Sequence, residues 1–173
     1  MSRRPSQTDV YPQILTLESG PQSASDAAVY ATIPLPIPRF GGSTARPFVF
    51  ELLRIQWGFQ YPTAEGLNSV LDVQLSTVEL DYDEGNPRTF FWDHLRVETS
   101  DAANAILNEC HAVKELDYTD GNGHGILIAT DNIYFYFDTA ATSASTSQVF
   151  VRLLYRLIKV SAAEFIGIVQ SQS

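Results

Sequence analysis

Several long segments alternate apolar and polar side chains, and this two-residue period is the feature that most restricts the fold. The longest is 148–160, QVFVRLLYRLIKV, whose odd-numbered positions from 149 to 157 are all apolar. Arg152 and Arg156 fall on the opposite face. Because successive side chains of a β-strand point to opposite sides, whereas a helix repeats every 3.6 residues, the pattern predicts a strand with one buried face.

The same alternation recurs along the chain. In 48–59, Ile55, Trp57 and Phe59 share one face, and 132–137 is aromatic and β-branched. In 70–75 the inward positions are Leu71, Val73 and Leu75. Further strands are predicted at Ile14–Leu17, Val29–Ile33, Thr89–Trp92, Gly125–Ala129 and Glu164–Val169. Only 101–109 has helical spacing, so we predict an all-β sandwich, jelly roll or closed barrel of about eight to ten strands with one short helix.

The chain has the organisation of one domain. Turn-forming clusters of Gly, Pro, Asn and Asp separate the predicted strands, and the sequence shows neither an internal repeat nor an interdomain linker. We therefore predict a single domain over residues 1–173, with a short N-terminal arm at about 1–9. The small, polar segment 139–147 is predicted to be an exposed loop.

Composition excludes several classes of protein. Apolar residues make up 45% and aromatic residues 12%, which argues against disorder of the whole chain. There is no apolar run of the ~20 residues that span a bilayer, so membrane insertion is not expected. The N-terminus lacks the apolar segment of a signal peptide, which predicts an intracellular protein. With a single cysteine, Cys110, an internal disulfide is excluded.

The sequence has no pattern of catalytic or metal-binding residues. The histidines His94, His111 and His124 match no zinc spacing, and Cys110 beside His111 is unsuited to direct activation because neighbouring side chains rarely face each other. Two acidic segments, 81–86 and 117–122, lack the spacing of a calcium loop and are interpreted as turns. We predict no enzymatic activity, no cofactor and no metal site.

One stretch at the C-terminus resembles a known family. Residues 149–172, from VFVRLLYRLIKV to EFIGIVQSQ, are similar to the end of capsid proteins from circular, Rep-encoding single-stranded DNA (CRESS-type) viruses, and FELLRI at 50–55 is similar to one of their early strands. The direct match covers about 25 residues. The resemblance implies a single jelly-roll coat protein that forms a small icosahedral shell around circular single-stranded DNA, with about sixty copies in the smallest icosahedron. It implies location in the virion after assembly inside the host cell, and no catalytic residues.

The charge departs from what this family implies. Such coat proteins open with a long basic arm, whereas here only Arg3 and Arg4 are adjacent and the net charge is −9. We therefore expect single-stranded DNA to be bound weakly, if it is packaged. The residues predicted to face nucleic acid are Arg3, Arg4, Arg54, Arg152 and Arg156. The alternative for the strand arginines is pairing with nearby carboxylates or a role at a subunit contact.

The predicted contact between subunits uses two apolar segments. In 33–38 proline alternates with aliphatic residues, which suits an extended sheet edge that lies against another surface. The segment that follows 160 stays apolar to Val169, which also suits burial between subunits. The predicted interface residues are Pro34, Pro36, Phe165, Ile166, Ile168 and Val169.

A second function from a different class also fits the sequence. In this alternative the chain is a lectin-like, carbohydrate-binding β-sandwich, in which Trp57, Trp92 and Tyr118 stack on sugar rings and an acidic loop holds calcium. An enzyme on a cupin-like barrel is disfavoured, because its metal site needs clustered histidines. The sequence identifies no host receptor.

Overall fold

The fold was analysed in a computed structural model, which describes residues 12–21, 28–37, 46–60, 68–98, 114–141 and 147–172. Outside these residues lie the predicted arm at 1–9, the predicted helix at 101–109, Cys110 and His111, and most of the predicted loop at 139–147. The first three residues of that loop segment, 139–141, are the end of a strand.

The described residues form nine strands and one helix. These are β1 (Gln13–Glu18), β2 (Val29–Pro34), β3 (Phe48–Gln60), β4 (Asn68–Ser76), β5 (Thr89–Glu98), β6 (Lys114–Asp117), β7 (Ile126–Ile128), β8 (Asn132–Ala141), β9 (Gln148–Lys159) and α1 (Ala162–Gln172). Two sheets result, and every strand pair is antiparallel. The first sheet has the order β1-β9-β3-β6, with β7 also paired to β3, and the second has the order β2-β8-β4-β5.

The topology is that of an eight-stranded jelly roll. Strands β6 and β7 pair with consecutive stretches of β3, 54–57 and 50–52, so together they are one strand that the segment 118–125 interrupts. Counting them as one gives four strands in each sheet, with the connections of two interleaved Greek keys. The predicted jelly-roll sandwich is confirmed, while β6 had not been predicted.

The core lies between the two sheets and follows the predicted period. Leu71, Val73 and Leu75 of β4 are fully buried, as are Val149 and the next two odd positions of β9. These side chains belong to one apolar cluster that both sheets share. Burying a Leu, Val or Phe side chain contributes about 1.5–3 kcal/mol, so the alternating faces supply most of the driving force that pairs the sheets.

A β-bulge in β3 changes which positions face the core. The pairing with β9 shifts between Leu52, opposite Tyr155, and Arg54, opposite Leu154. Before the bulge the even positions Phe50 and Leu52 belong to the core that both sheets share, and after it the odd positions Ile55 and Trp57 do. The extra residue therefore places Glu51 on the same outer face as Arg54, although the two are three positions apart.

The C-terminal segment is a helix, and the strand predicted at Glu164–Val169 is wrong. The physical reason is a capping box: the backbone N–H of Ser161 donates to the Glu164 carboxylate (2.7 Å), and the backbone N–H of Glu164 donates to the Ser161 hydroxyl (3.2 Å). Phe165, Ile168 and Val169 have helical spacing and pack against a second apolar cluster on the outside of the first sheet. No helix among the described residues is long and apolar enough to cross a membrane.

The last residue of α1 fastens the helix to the first sheet. The Gln172 side-chain amide accepts a hydrogen bond from the backbone N–H of Ala129 (2.9 Å) and donates one to the carbonyl of Leu127. The backbone carbonyl of Gln172 accepts a hydrogen bond from the Thr77 hydroxyl (3.3 Å). The amide thus supplies partners to backbone groups at the edge strand β7, and the helix covers the outer cluster of Val49, Ala129 and Val160.

Replacing Ser161 with alanine is expected to destabilise α1 by about 1 kcal/mol, because a backbone N–H of the first turn loses its acceptor. The hydrogen bond from the Ser161 N–H, followed by that of the Ser161 hydroxyl, lowers the pKa of Glu164. A lowered pKa stabilises the helix at neutral pH, and this contribution is lost as the pH falls through the lowered value. Cα chemical shifts of 164–168 measured between pH 7 and pH 2 test both statements. Shifts that stay helical in the variant and in acid would contradict them.

Candidate functional site

The outer face of the first sheet carries the three strand arginines that the sequence analysis singled out. Arg54 on β3 forms ion pairs with Glu115 (3.1 Å) and Asp117 (3.3 Å) on the neighbouring strand β6. The pKa of Asp117 is lowered, first by the hydrogen bond from the Thr119 backbone and then by other groups that include Arg54. Arg54 therefore has the carboxylate partners that the alternative interpretation predicted.

Arg156 is part of a buried ion pair. Glu51 is only 1% exposed, and its carboxylate accepts hydrogen bonds from Arg156 Nε and from the backbone N–H of Gly125 (3.1 Å). The Arg156 guanidinium also donates to the carbonyl of Gly123 (2.8 Å), and the pKa of Arg156 is raised mainly by its bond to Glu51. His124 lies 3.7 Å from the same carboxylate. This cluster fixes the segment 118–125 to the sheet, so Arg156 has a structural role.

Arg152 differs from the other two. It is exposed on β9, and no described carboxylate lies within ion-pair distance of it. Its side chain lines a groove of about 320 Å³ together with Thr16, Glu18, Gln56 and Phe150. Of the three arginines, Arg152 is therefore the one that the described residues leave without a carboxylate partner. Arg3 and Arg4 lie outside the described residues.

The predicted interface residues fall at two places on the surface. Pro34 and Pro36 are exposed at the end of β2, an edge strand of the second sheet, with the buried Leu35 between them. On α1, Phe165, Ile168 and Val169 are half-buried against the outer cluster of the first sheet. Ile166 points away from that cluster and is 56% exposed. It is therefore the helix residue best placed for contact with another molecule.

Two of the three aromatic residues proposed for sugar stacking are not on the surface. Trp57 is buried, donates to the Asp93 carboxylate (2.6 Å) and packs edge-on against Phe91. Tyr118 donates its hydroxyl to the carbonyl of Phe90, and burial raises its pKa. Trp92 alone of the three is exposed, at 47%. The three aromatic residues therefore do not form one stacking surface, and of the three only Trp92 is placed to stack on a ligand.

Trp92 lines an open groove on the outer face of the second sheet. The groove measures about 670 Å³, and its other lining residues are Tyr82, Asp83, Glu84 and His94. His94 Nδ1 lies 2.6 Å from an oxygen of Asp72, which holds the imidazole in place. Burial raises the pKa of Tyr82 to about 12, and the charges of Asp72, Glu84 and Asp93 contribute in the same direction. The groove therefore combines aromatic rings with negative potential.

Three carboxylates of the acidic segments interpreted as turns, those of Asp83, Asp117 and Asp120, form hydrogen bonds within those turns. Asp117 accepts hydrogen bonds from the backbone and hydroxyl of Thr119, and Asp83 accepts one from the backbone of Gly85. Asp120 accepts hydrogen bonds from the backbone N–H groups of His124 and Asn122, and these bonds lower the pKa of Asp120. Local bonds of this kind are what Asp contributes to turns. No group of three or more potential metal ligands occurs among the described residues.

Comparison with solved structures shows that the fold of this chain is similar to that of polyomavirus VP1. No protein-family model matches the sequence, and no curated protein sequence matches it either. Among solved structures, VP1 of Merkel cell polyomavirus in complex with 3'-sialyllactosamine aligns with a TM-score of 0.52 at 10% identity, over 92% of this chain and 99% of that one. VP1 of trichodysplasia spinulosa-associated polyomavirus, in complex with sialylated precision glycooligomers, aligns with a TM-score of 0.50 at 8% identity, over 90% and 98%. Nearly the whole described chain thus shares a jelly-roll fold with VP1.

Proposed function

We propose that this chain is a viral coat protein whose copies assemble into a closed, icosahedral shell. The observation that carries the proposal is the jelly-roll topology, which aligns over 92% of the chain with a polyomavirus VP1. The segments VFVRLLYRLIKV and EFIGIVQSQ, which resemble coat proteins of circular single-stranded DNA viruses, form β9 and α1. These elements lie side by side on the first sheet, where α1 covers the outer cluster.

The described chemistry also fits a coat protein better than an enzyme. The strand arginines Arg54 and Arg156 support the sheet through ion pairs, and Asp117 and Asp120 accept backbone N–H groups of their own turns. Several surface features are suited to contact with another subunit: the exposed Ile166 on α1, the proline segment at the sheet edge, and the grooves at Arg152 and at Trp92. Such features supply the heterologous contacts from which closed shells are built.

The genome inside such a shell would be single-stranded DNA, bound weakly. With 20 acidic and 11 basic residues the chain repels a polyanion overall, so its cations must act locally. Arg3 and Arg4 are the adjacent pair that we propose for this contact. Location in the virion follows from the same proposal.

The proposal is tested by purifying the full chain and examining it by negative-stain electron microscopy after size-exclusion chromatography. We expect uniform spherical particles in the void volume. The ratio of absorbance at 260 nm to that at 280 nm then reports whether they contain nucleic acid. A monodisperse species near 19.2 kDa in every buffer, at high and low salt, would overturn the proposal.

Replacing Ile166 with aspartate is expected to prevent particle formation while the subunit stays folded, because this exposed side chain is placed to be buried between subunits. The control is Ala163→Asp, which adds the same charge to an exposed position of the same helix. Electron microscopy and circular dichroism check the two outcomes. Intact particles from the Ile166 variant would remove α1 from the proposed interface.

A further inference from the structure

We infer that Arg152 of one copy binds in the Trp92 groove of a second copy, so that the outer face of the first sheet contacts the outer face of the second. The inference rests on the proposed coat-protein function and names the residues of one of its contacts. It is drawn from the chemistry of the two grooves, which complement each other.

The Trp92 groove suits a cation that donates hydrogen bonds and stacks on an aromatic ring, because two carboxylates and an exposed indole line it. Glu84 presents a carboxylate, Asp83 adds a second negative charge while it accepts the backbone N–H of Gly85, and His94, bonded through Nδ1 to Asp72, lines the wall. Neither Lys nor Arg is among the groove's lining residues. A sialylated glycan is anionic, so the negative charge of this lining opposes its binding. A guanidinium has five donors, no acceptor, and a flat face that stacks on an indole.

Among the three strand arginines, Arg152 is the one for which the described residues supply no carboxylate partner. Arg54 is held by Glu115 and Asp117, and Arg156 is held by Glu51, whereas no described carboxylate lies within ion-pair distance of Arg152. Glu18 lines the same groove without pairing with it. Beside Arg152 lies Phe150, which is 36% exposed and adds apolar area to the contact. An exposed arginine next to an aromatic ring is a common centre of a protein interface.

The positions of the two patches determine the kind of assembly. Val151 and Leu153 are buried on either side of Arg152, and Phe91 is buried beside Trp92. The Arg152 patch (Arg152 and Phe150) and the Trp92 groove therefore each face outward from their sheet. Because the sheets pack through their inner faces, the patches lie on opposite sides of the sandwich. A contact between two different patches is heterologous, and it propagates from copy to copy into a ring or shell instead of stopping at a dimer.

The two patches are tested separately with Trp92→Ala and Arg152→Glu. We expect each variant to remain folded and to lose particles, with association weakened about thirtyfold, which corresponds to ~2 kcal/mol for a desolvated cation–π pair. The charge-exchanged double variant Glu84→Arg with Arg152→Glu is expected to recover association in part. Glu79→Arg is the control, since it makes the same reversal in the same loop outside the groove.

Mixing the two single variants shows whether the two patches bind each other. Trp92→Ala keeps an intact Arg152, and Arg152→Glu keeps an intact groove, so a mixture is expected to form heterodimers in sedimentation velocity, although each variant alone is monomeric. Particles of wild-type size that persist in both variants would overturn the inference and leave the proposed function intact. A wild-type chain that never forms particles would overturn the proposed function itself.

Discussion

Replacing Arg156 with methionine is expected to lower the free energy of unfolding by about 3–5 kcal/mol, measured by urea denaturation monitored by circular dichroism. Methionine keeps an unbranched, apolar stem but removes the cation, so the Glu51 carboxylate, 1% exposed, loses its counter-charge. A buried ion without its partner carries its desolvation cost uncompensated, and this cost is the source of the expected loss.

The matched control is Arg54→Met, the same change on the same sheet face. The side chains of Arg54, Glu115 and Asp117 are each more than one-third exposed, so water screens their interaction and the expected loss is below about 1 kcal/mol. The double variant Glu51→Leu with Arg156→Met removes both charges and is expected to recover most of the stability lost in Arg156→Met. Equal losses in the two single variants would contradict the distinction between a buried and an exposed pair.

The strands were predictable because the chain buries one face of each sheet. Positions 71, 73 and 75 of β4 and the odd positions 149 to 157 of β9 are apolar and buried, so period two is visible without any knowledge of the partner strands. β6 was missed for the opposite reason. It is four residues long, KELD, and its charged side chains form ion pairs: Glu115 and Asp117 meet Arg54 on the outer face, and Lys114 reaches Asp93 of β5 in the second sheet. A strand that contributes charge instead of core has no hydrophobic period.

The error at α1 had a signal that would have corrected it. Phe165, Ile166, Ile168 and Val169 resemble the apolar run of a strand, but Ser161 followed three residues later by Glu164 is a capping box. The spacing of Phe165, Ile168 and Val169 is also helical. An apolar run this short is ambiguous by periodicity alone, and the cap at its start decides the element.

The distinction among the three arginines was beyond the sequence. Arg152 and Arg156 have the same period and similar neighbours in β9, yet only Arg156 meets a buried carboxylate, and Glu51 lies 105 positions earlier in the chain. That meeting also depends on the bulge after Leu52, which no local pattern of β3 predicts. The aromatic groove is similar, because Trp92 acquires its acidic surroundings only when the segment 82–84 folds against β5.

Replacing Gly125 with alanine is expected to destabilise the fold by more than about 3 kcal/mol, because the residue lies directly against the backbone of β3. A Cβ at this position would stand 1.9 Å from the carbonyl oxygen of Leu52 and 2.7 Å from its carbon. These are backbone atoms within the central strand of the first sheet, so they cannot move aside as a flexible side chain would. The backbone N–H of Gly125 also donates to Glu51, so any displacement disturbs the buried ion pair.

The measurement is the thermal midpoint of the unassembled subunit, with Gly58→Ala as the control. Gly58 also lies in the first sheet, but a Cβ there meets no atom within 4 Å. We expect Gly125→Ala to lower Tm by about 6–12 °C or more and Gly58→Ala to leave Tm nearly unchanged. Equal midpoints would mean that the segment 118–125 does not approach β3 this closely. Since that segment joins β6 to β7, its close return onto Leu52 is what allows two short strands to act as one strand of the jelly roll.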